Sequence, residues 1–82
     1  MKNSINKTVT ITSVGFGKNL SPVPRQMEYD GHLYDFIDKG ITCVVKKGND
    51  LSRILTLSDG KQRFHLRNDT RRGVWTLLAM GA

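Results

Sequence analysis

Apolar and polar residues alternate most regularly in residues 53–67. Alternation with a period of two is typical of a β-strand with one buried face, and Asp-Gly between two such runs predicts a hairpin. We therefore expect a two-residue type I′ loop at Asp59 and Gly60, which places Ser58 opposite Lys61. One face of this hairpin collects Leu55, Leu57, Phe64 and Leu66, and the other collects Thr56, Ser58, Lys61, Arg63, His65 and Arg67.

A second Asp-Gly pair, Asp30 and Gly31, predicts another tight hairpin. A two-residue loop at this point places Tyr29 opposite His32. Side chains on paired positions share a face, so each face of the hairpin has its own chemistry. The face expected to point inward carries Met27, Tyr29, Tyr34 and Phe36, and the outward face carries Glu28, Leu33 and Asp35.

Most of the remaining segments also indicate strands. Residues 7–14 alternate β-branched residues with polar ones, as a half-buried strand does. Residues 41–45 are apolar enough to be buried on both faces, and residues 74–80 are typical of a strand in the middle of a sheet or one that closes a barrel. Two glycines and two prolines in residues 15–24 predict a long loop, partly extended around Pro22 and Pro24, and residues 1–6 are expected to be flexible.

Short strands separated by turn signals predict one small all-β domain over residues 7–82. It should be an antiparallel barrel or sandwich of about six short strands with little helix. Residues 33–36, 46–50 and 53–57 resemble the start of a eukaryotic SH3 domain. The resemblance implies an SH3-like barrel, although Trp75 comes a whole strand later than in that family and no proline-plus-tyrosine segment follows it.

The chain of 82 residues carries a formal net charge of +6 at pH 7, unevenly distributed. Residues 1–40 contain five Lys or Arg against four Asp or Glu, whereas residues 41–82 contain eight against three. A basic half of this kind favours a polyanionic partner. With one cysteine, no apolar signal segment and no apolar run long enough to span a bilayer, we expect a cytoplasmic protein with no disulfide and no membrane partner.

The candidate binding residues are the cations on the polar face of the central hairpin and in the turn that follows it. Arginine binds phosphate oxygens through two N–H groups at once, so such a face predicts binding of DNA, RNA or another polyanion without sequence preference. The competing interpretation is a solvated strand face, which needs polar residues whatever its function. His65 would add charge only at mildly acidic pH. The set comprises Lys61, Arg63, His65, Arg67, Arg71 and Arg72, with Lys46 and Lys47 as further candidates.

The alternative hypothesis is a protein-interaction or assembly module. In that case residues 74–80 and the loop around Pro22 and Pro24 contact a partner protein or another copy of the chain. Exposed aromatic rings could serve the same purpose by stacking on a base or docking a peptide. Their positions among apolar residues favour the core instead, and this applies to Tyr29, Tyr34, Phe36 and Trp75.

Residues suited to catalysis or metal binding are few. His32 and His65 are the only histidines and Cys43 is the only thiol. That is too little for a closed zinc site, and no nucleophile lies beside a base in the sequence. We expect no enzyme activity, no metal and no small-molecule cofactor.

Overall fold

A computed structural model describes residues 3–17, 22–38, 40–69 and 73–81. These residues form seven β-strands and no helix, which confirms the all-β prediction with one strand more than expected. The strands are β1 (Asn3–Phe16), β2 (Pro22–Tyr29), β3 (His32–Asp35), β4 (Ile41–Lys47), β5 (Asp50–Ser58), β6 (Arg63–Asp69) and β7 (Val74–Gly81). No helix that could cross a membrane occurs within these ranges.

All seven strands belong to one antiparallel sheet in the order β3-β2-β1-β7-β6-β5-β4. The sheet consists of two runs of neighbouring strands, β1 to β3 and β4 to β7, which meet where β1 pairs with β7. The apolar strand β7 therefore lies in the middle of the sheet, which is one of the two positions that its sequence indicated. Because both of its edges are hydrogen-bonded within the chain, β7 offers no free edge to a partner.

The hairpin predicted at Asp30 and Gly31 is confirmed. Their φ angles are 53° and 78°, so both have the positive values that a type I′ turn requires. Tyr29 lies opposite His32, as expected. The polarity of the two faces is also confirmed, since Met27 and Phe36 are buried while Glu28, Leu33 and Asp35 are exposed.

The central hairpin forms, but its register differs from the prediction. Ser58 lies opposite Arg63 rather than Lys61, so the turn is centred on Gly60 and Lys61, one residue later than expected. The cause is the Asp59 carboxylate, which accepts hydrogen bonds from two backbone N–H groups of the turn. Because the turn is centred one residue later, each residue of β5 pairs with a residue of β6 two positions beyond the predicted one. A shift of two positions leaves every strand side chain on its predicted face.

The core lies between the two halves of the sheet, which curls so that β3 faces β6. Phe64 of β6 is fully buried, and the rings of Tyr34 and Phe36 pack against it with centroid distances of 5.1 Å and 5.2 Å. Each fully buried leucine or phenylalanine contributes about 1.5–3 kcal/mol. The buried apolar side chains are Val9, Val23, Met27, Phe36, Leu55, Leu57, Phe64, Leu66 and Leu77.

Within the described ranges, three hydrogen bonds join the β2–β3 part of the sheet to β5. The backbone N–H of Ile37 donates to the carbonyl oxygen of Ser58 at 2.9 Å. The N–H of Ser58 donates to Oδ1 of Asp38 at 3.1 Å, and Nη2 of Arg53 donates to the carbonyl oxygen of Pro22 at 3.1 Å. The strand pairing leaves β3 and β4 as the edges of the sheet. Closure into a barrel and the SH3-like arrangement stay predictions.

The loop predicted for residues 15–24 is shorter than expected, because residues 15–16 belong to β1 and residues 22–24 to β2, while residues 18–21 lie outside the described residues. β1 begins at Asn3 and continues to Phe16, and β2 already begins at Pro22. Prolines fit there because β3 pairs only with residues 26–29 of β2. One side of residues 22–24 therefore has no ladder that needs an N–H donor.

The prediction that residues 41–45 are buried on both faces is wrong. β4 is an edge strand, and all seven of its side chains are exposed, including the free thiol of Cys43. An apolar run indicates a strand but does not show where in the sheet the strand lies. A tight turn follows β4, with Lys47 opposite Asp50 and a positive φ of 63° at Gly48.

Candidate functional site

The polar face of β6 lies on the outside of the sheet. Phe64 and Leu66 point into the core, so the alternating positions point outward. Arg63 and Arg67 are exposed there, with His65 half-buried between them. We call these three residues the basic face.

Strand β5 supplies the neighbours of the basic face. Ser58, Thr56 and Ile54 lie opposite Arg63, His65 and Arg67 respectively. The hydroxyl of Thr56 lies 3.0 Å from Nδ1 of His65, a hydrogen-bond distance. The imidazole is therefore held within the sheet surface, whereas the two guanidinium groups extend beyond it.

The turn between β5 and β6 places Lys61 at one end of the basic face. Its geometry depends on Asp59, whose carboxylate accepts hydrogen bonds from the N–H groups of Lys61 and Gln62, both at 2.8 Å. The hydroxyl of Ser58 also accepts from the N–H of Gly60 at 3.0 Å. Partial burial raises the pKa of Asp59, but hydrogen bonds from the backbone N–H groups of Gln62, Lys61 and Asp59 itself and the Lys61 charge outweigh it, so the net shift is downward. The turn is thus built around an ionised carboxylate, and the Lys61 side chain is exposed.

Two open grooves border the basic face, and each contains one of its arginines. The first has a volume of about 560 Å³ and lies beside residues 37–38 and 40–41, with Arg63 in its lining. The second has a volume of about 490 Å³ and lies over β4 and β5, with Arg67 at its rim. Aliphatic side chains from β4 and β5 line both grooves, so each arginine stands next to an apolar surface.

Carboxylates also lie near the arginines, which the sequence interpretation missed. Asp38 lines the first groove, and its Oδ1 already accepts the N–H of Ser58. Asp50 and Asp69 line the second groove together with Lys47 and Arg67. Their proximity was available from the sequence in part, because the turn at residues 47–50 places Lys47 opposite Asp50. Leaving the arginines aside, the charged residues that line each groove sum to a formal charge of −1.

The structure brings together only part of the predicted set. Arg63, His65 and Arg67 share one strand face, and Lys61 lies at the adjoining turn. Lys47 reaches the same outer surface through the second groove, whereas Lys46 lies on the opposite face of β4. The remaining two candidates, Arg71 and Arg72, lie outside the described residues.

The aromatic residues considered as possible binding groups lie in the core or pack against it. Trp75 is half-buried and packs against the core, as do Tyr29 and Tyr34. Phe36 is buried, so these rings do not form an open groove for a peptide. Within the described ranges, no three His, Cys, Asp or Glu side chains are grouped closely enough to hold a metal ion.

Comparison of the chain with protein-family models, with curated proteins and with solved structures found no match. The chemistry of the described residues is therefore the basis for assigning a function.

Proposed function

We propose that this protein binds nucleic acid or another polyanion through the basic face and Lys61. One observation carries the proposal: Arg63 and Arg67 are exposed on the same face of one strand, four residues apart. At the rise of a β-strand, four residues correspond to about 14 Å, so the two guanidinium groups can contact two separate phosphates. Arg71 and Arg72 are included in the proposed site from the sequence alone, because they come two and three residues after the end of β6.

The chemistry favours binding without sequence preference. Arginine donates two parallel hydrogen bonds to a phosphate, and such contacts fix position but read no base. The aliphatic lining of the two grooves offers apolar contact to the sugars or bases beside those phosphates. His65 is held by Thr56, so its role is to support the surface between the arginines, with additional charge when it is protonated.

The test is fluorescence anisotropy with labelled single-stranded DNA, duplex DNA and RNA over a range of salt concentrations. Wild-type affinity should fall steeply with salt, because binding releases counterions. The double substitution Arg63→Gln with Arg67→Gln should weaken binding to every oligomer. It should also reduce the slope of log K against log salt by about two, because two phosphates are no longer neutralised by an arginine.

A matched control removes two charges elsewhere. Lys7 and Arg25 are exposed on β1 and β2, so Lys7→Gln with Arg25→Gln lowers the net charge equally. This control should keep the wild-type slope. Equal losses in both double variants would show that net charge alone attracts the ligand, and flat titrations of the wild type at low salt with all three oligomers would refute the proposal.

A second candidate function, protein interaction, is favoured by the exposed edge strand β4. Ile41, Val44 and Val45 are large apolar residues that β4 leaves in solvent. This surface differs from the one expected from the sequence, since β7 is internal and Pro24 is buried.

A further inference from the structure

Strand β4 is the long unpaired edge of the sheet. Among the described residues its only neighbouring strand is β5, and all seven of its side chains are exposed, with Ile41 at 76%, Val44 at 58% and Val45 at 43%. Edge strands usually avoid pairing with other chains through charges, prolines, bulges or short length. Residues 41–45 have none of these, and the two lysines of β4 lie only at its end. The opposite edge, β3, has four residues.

We propose that β4 pairs antiparallel with β4 of a second copy of the chain, about a two-fold axis at Cys43. In this register Cys43 lies opposite the partner's Cys43, Ile41 opposite the partner's Val45, and Thr42 opposite the partner's Val44. Every apolar side chain of the pair then meets an apolar or uncharged one, which favours a defined alignment.

The lysines at the end of β4 explain why this register is preferred. Moving the axis one residue along, to Val44, would set Ile41 opposite the partner's Lys47 and Thr42 opposite the partner's Lys46. In the register centred on Cys43, both lysines fall beyond the apolar segment and remain in solvent. Lys46 and Lys47 therefore mark the end of the segment that pairs with the second copy, and they do not prevent the pairing.

Size and charge define what kind of dimer to expect. A pairing of five residues per chain lies at the small end of specific interfaces, so dissociation in the micromolar range is expected. Each copy carries a net charge of +6, so salt should strengthen the dimer by screening repulsion. The two-fold arrangement uses the β4 edge of both copies, which closes the assembly at two chains.

The dimer extends beyond the proposed function and does not depend on it. Pairing edge to edge would continue the outer surface from one copy to the other, with both basic faces on the same side. Five strand spacings separate β6 from the partner's β6, or about 24 Å. A polyanion that spans this distance would contact two basic faces at once.

The first experiment is sedimentation equilibrium with a thiol reductant, from low micromolar to about 0.5 mM protein, well above a micromolar dissociation constant. The wild type should pass from 9.2 kDa to about twice that mass, and more readily at higher salt. Ile41→Lys with Val45→Lys should stay monomeric. Leu33→Lys, at an exposed position of the other edge, should dimerise like the wild type.

A second experiment tests the register through Cys43. Oxidation with diamide, which takes up the two thiol hydrogens, should link two wild-type chains through a Cys43 disulfide. Moving the thiol one residue, in Cys43→Ser with Val44→Cys, places the two sulfurs two residues apart along the strands and should slow the link at least about tenfold.

The possible results are distinct from those of the polyanion test. A monomer at every concentration and salt would overturn the proposal, and so would a dimer that persists in the double lysine variant. Loss of nucleic-acid binding in the Arg63 and Arg67 variant leaves the dimer unaffected. The two interactions also respond to salt in opposite directions.

Discussion

Thr56 and His65 face each other across β5 and β6, with the Thr56 hydroxyl 3.0 Å from Nδ1 of the imidazole. This hydrogen bond joins the two strands at the centre of the basic face. Replacing Thr56 with valine keeps the side-chain shape and removes the hydroxyl. The free energy of unfolding should fall by about 1 kcal/mol.

Urea denaturation of the Thr56→Val variant measures this loss. The control is Thr10→Val, the same change at an exposed position of β1, which should alter stability by less than about 0.5 kcal/mol. Equal effects at the two positions would show that the hydrogen bond with His65 contributes nothing.

Gly40 has the most restricted backbone position among the described glycines. Its φ is +70°, and a Cβ at this position would meet the carbonyl oxygen of Thr56 and lie 2.6 Å from Cδ2 of Leu57. Gly40→Ala should therefore destabilise the protein by about 3 kcal/mol, through overpacking and a strained backbone together.

Gly48 provides the matched control for Gly40. Its φ is +63°, but a Cβ there would meet nothing within 4 Å. Gly48→Ala should cost only the backbone strain, about 1 kcal/mol. Thermal unfolding of both variants separates the two contributions, and similar losses would mean that the close approach to β5 is easily relieved.

Asp59 should make the β5–β6 turn sensitive to acid. The folded protein lowers its pKa below the ordinary value of 3.8, so the ionised carboxylate stabilises the fold above that pH. This contribution is lost as the pH falls through the lower folded pKa. Asp59→Ala should cost about 1 kcal/mol at pH 7, as loss of a capping side chain does.

Urea denaturation at pH 7 and near pH 3 tests the role of Asp59. The difference in stability between the wild type and Asp59→Ala should shrink at the lower pH. The variant Asp38→Ala serves as a comparison for the loss of stability. The Asp38 carboxylate accepts a hydrogen bond from one backbone N–H group, whereas the Asp59 carboxylate accepts from two. A difference that does not change with pH would contradict the role given to the charge.

Asn68 places a polar group in the core. Its side chain is 6% exposed, and its buried Oδ1 has no hydrogen-bond partner in the part of the chain that the structure describes. An unsatisfied buried acceptor costs about 1–3 kcal/mol, so Asn68→Leu should raise stability by about 1 kcal/mol. A shift of the denaturation midpoint to lower urea would show instead that the amide makes an interaction the leucine cannot replace.

The sequence predicted which face of the sheet each side chain lies on better than it predicted which residues pair across neighbouring strands. Alternation alone places Leu55 and Phe64 on one face and Thr56 and His65 on the other. The error in the predicted register did not change these faces. The error arose at Asp59, because the pattern does not reveal that a carboxylate will bind the N–H groups of its own turn. At Asp30 no such competition occurs among the described residues, and the predicted register is correct.

The position of each strand within the sheet was harder to predict from the sequence. Residues 41–45 and 74–80 have similar apolar content, yet β4 lies at the edge and β7 lies in the middle. Burial depends on which strands become neighbours, and that information is not local. The same limit applies to the candidate site, because the proximity of Asp69 and Lys47 to Arg67 arises only when β4, β5 and β6 align.

The pairing of β1 with β7 brings together strands that are far apart in the sequence. Asn3 lies opposite Met80, so the seam between the two runs of strands joins residues from opposite ends of the described chain. A circular permutant that connects β7 to β1 and opens the chain between β3 and β4 would have the strand order 4-5-6-7-1-2-3, in which every strand pairs with its successor. Making the long-range β1–β7 pairing local lowers the contact order of the strand ladders, so the permutant should fold faster than the natural chain while keeping the same sheet.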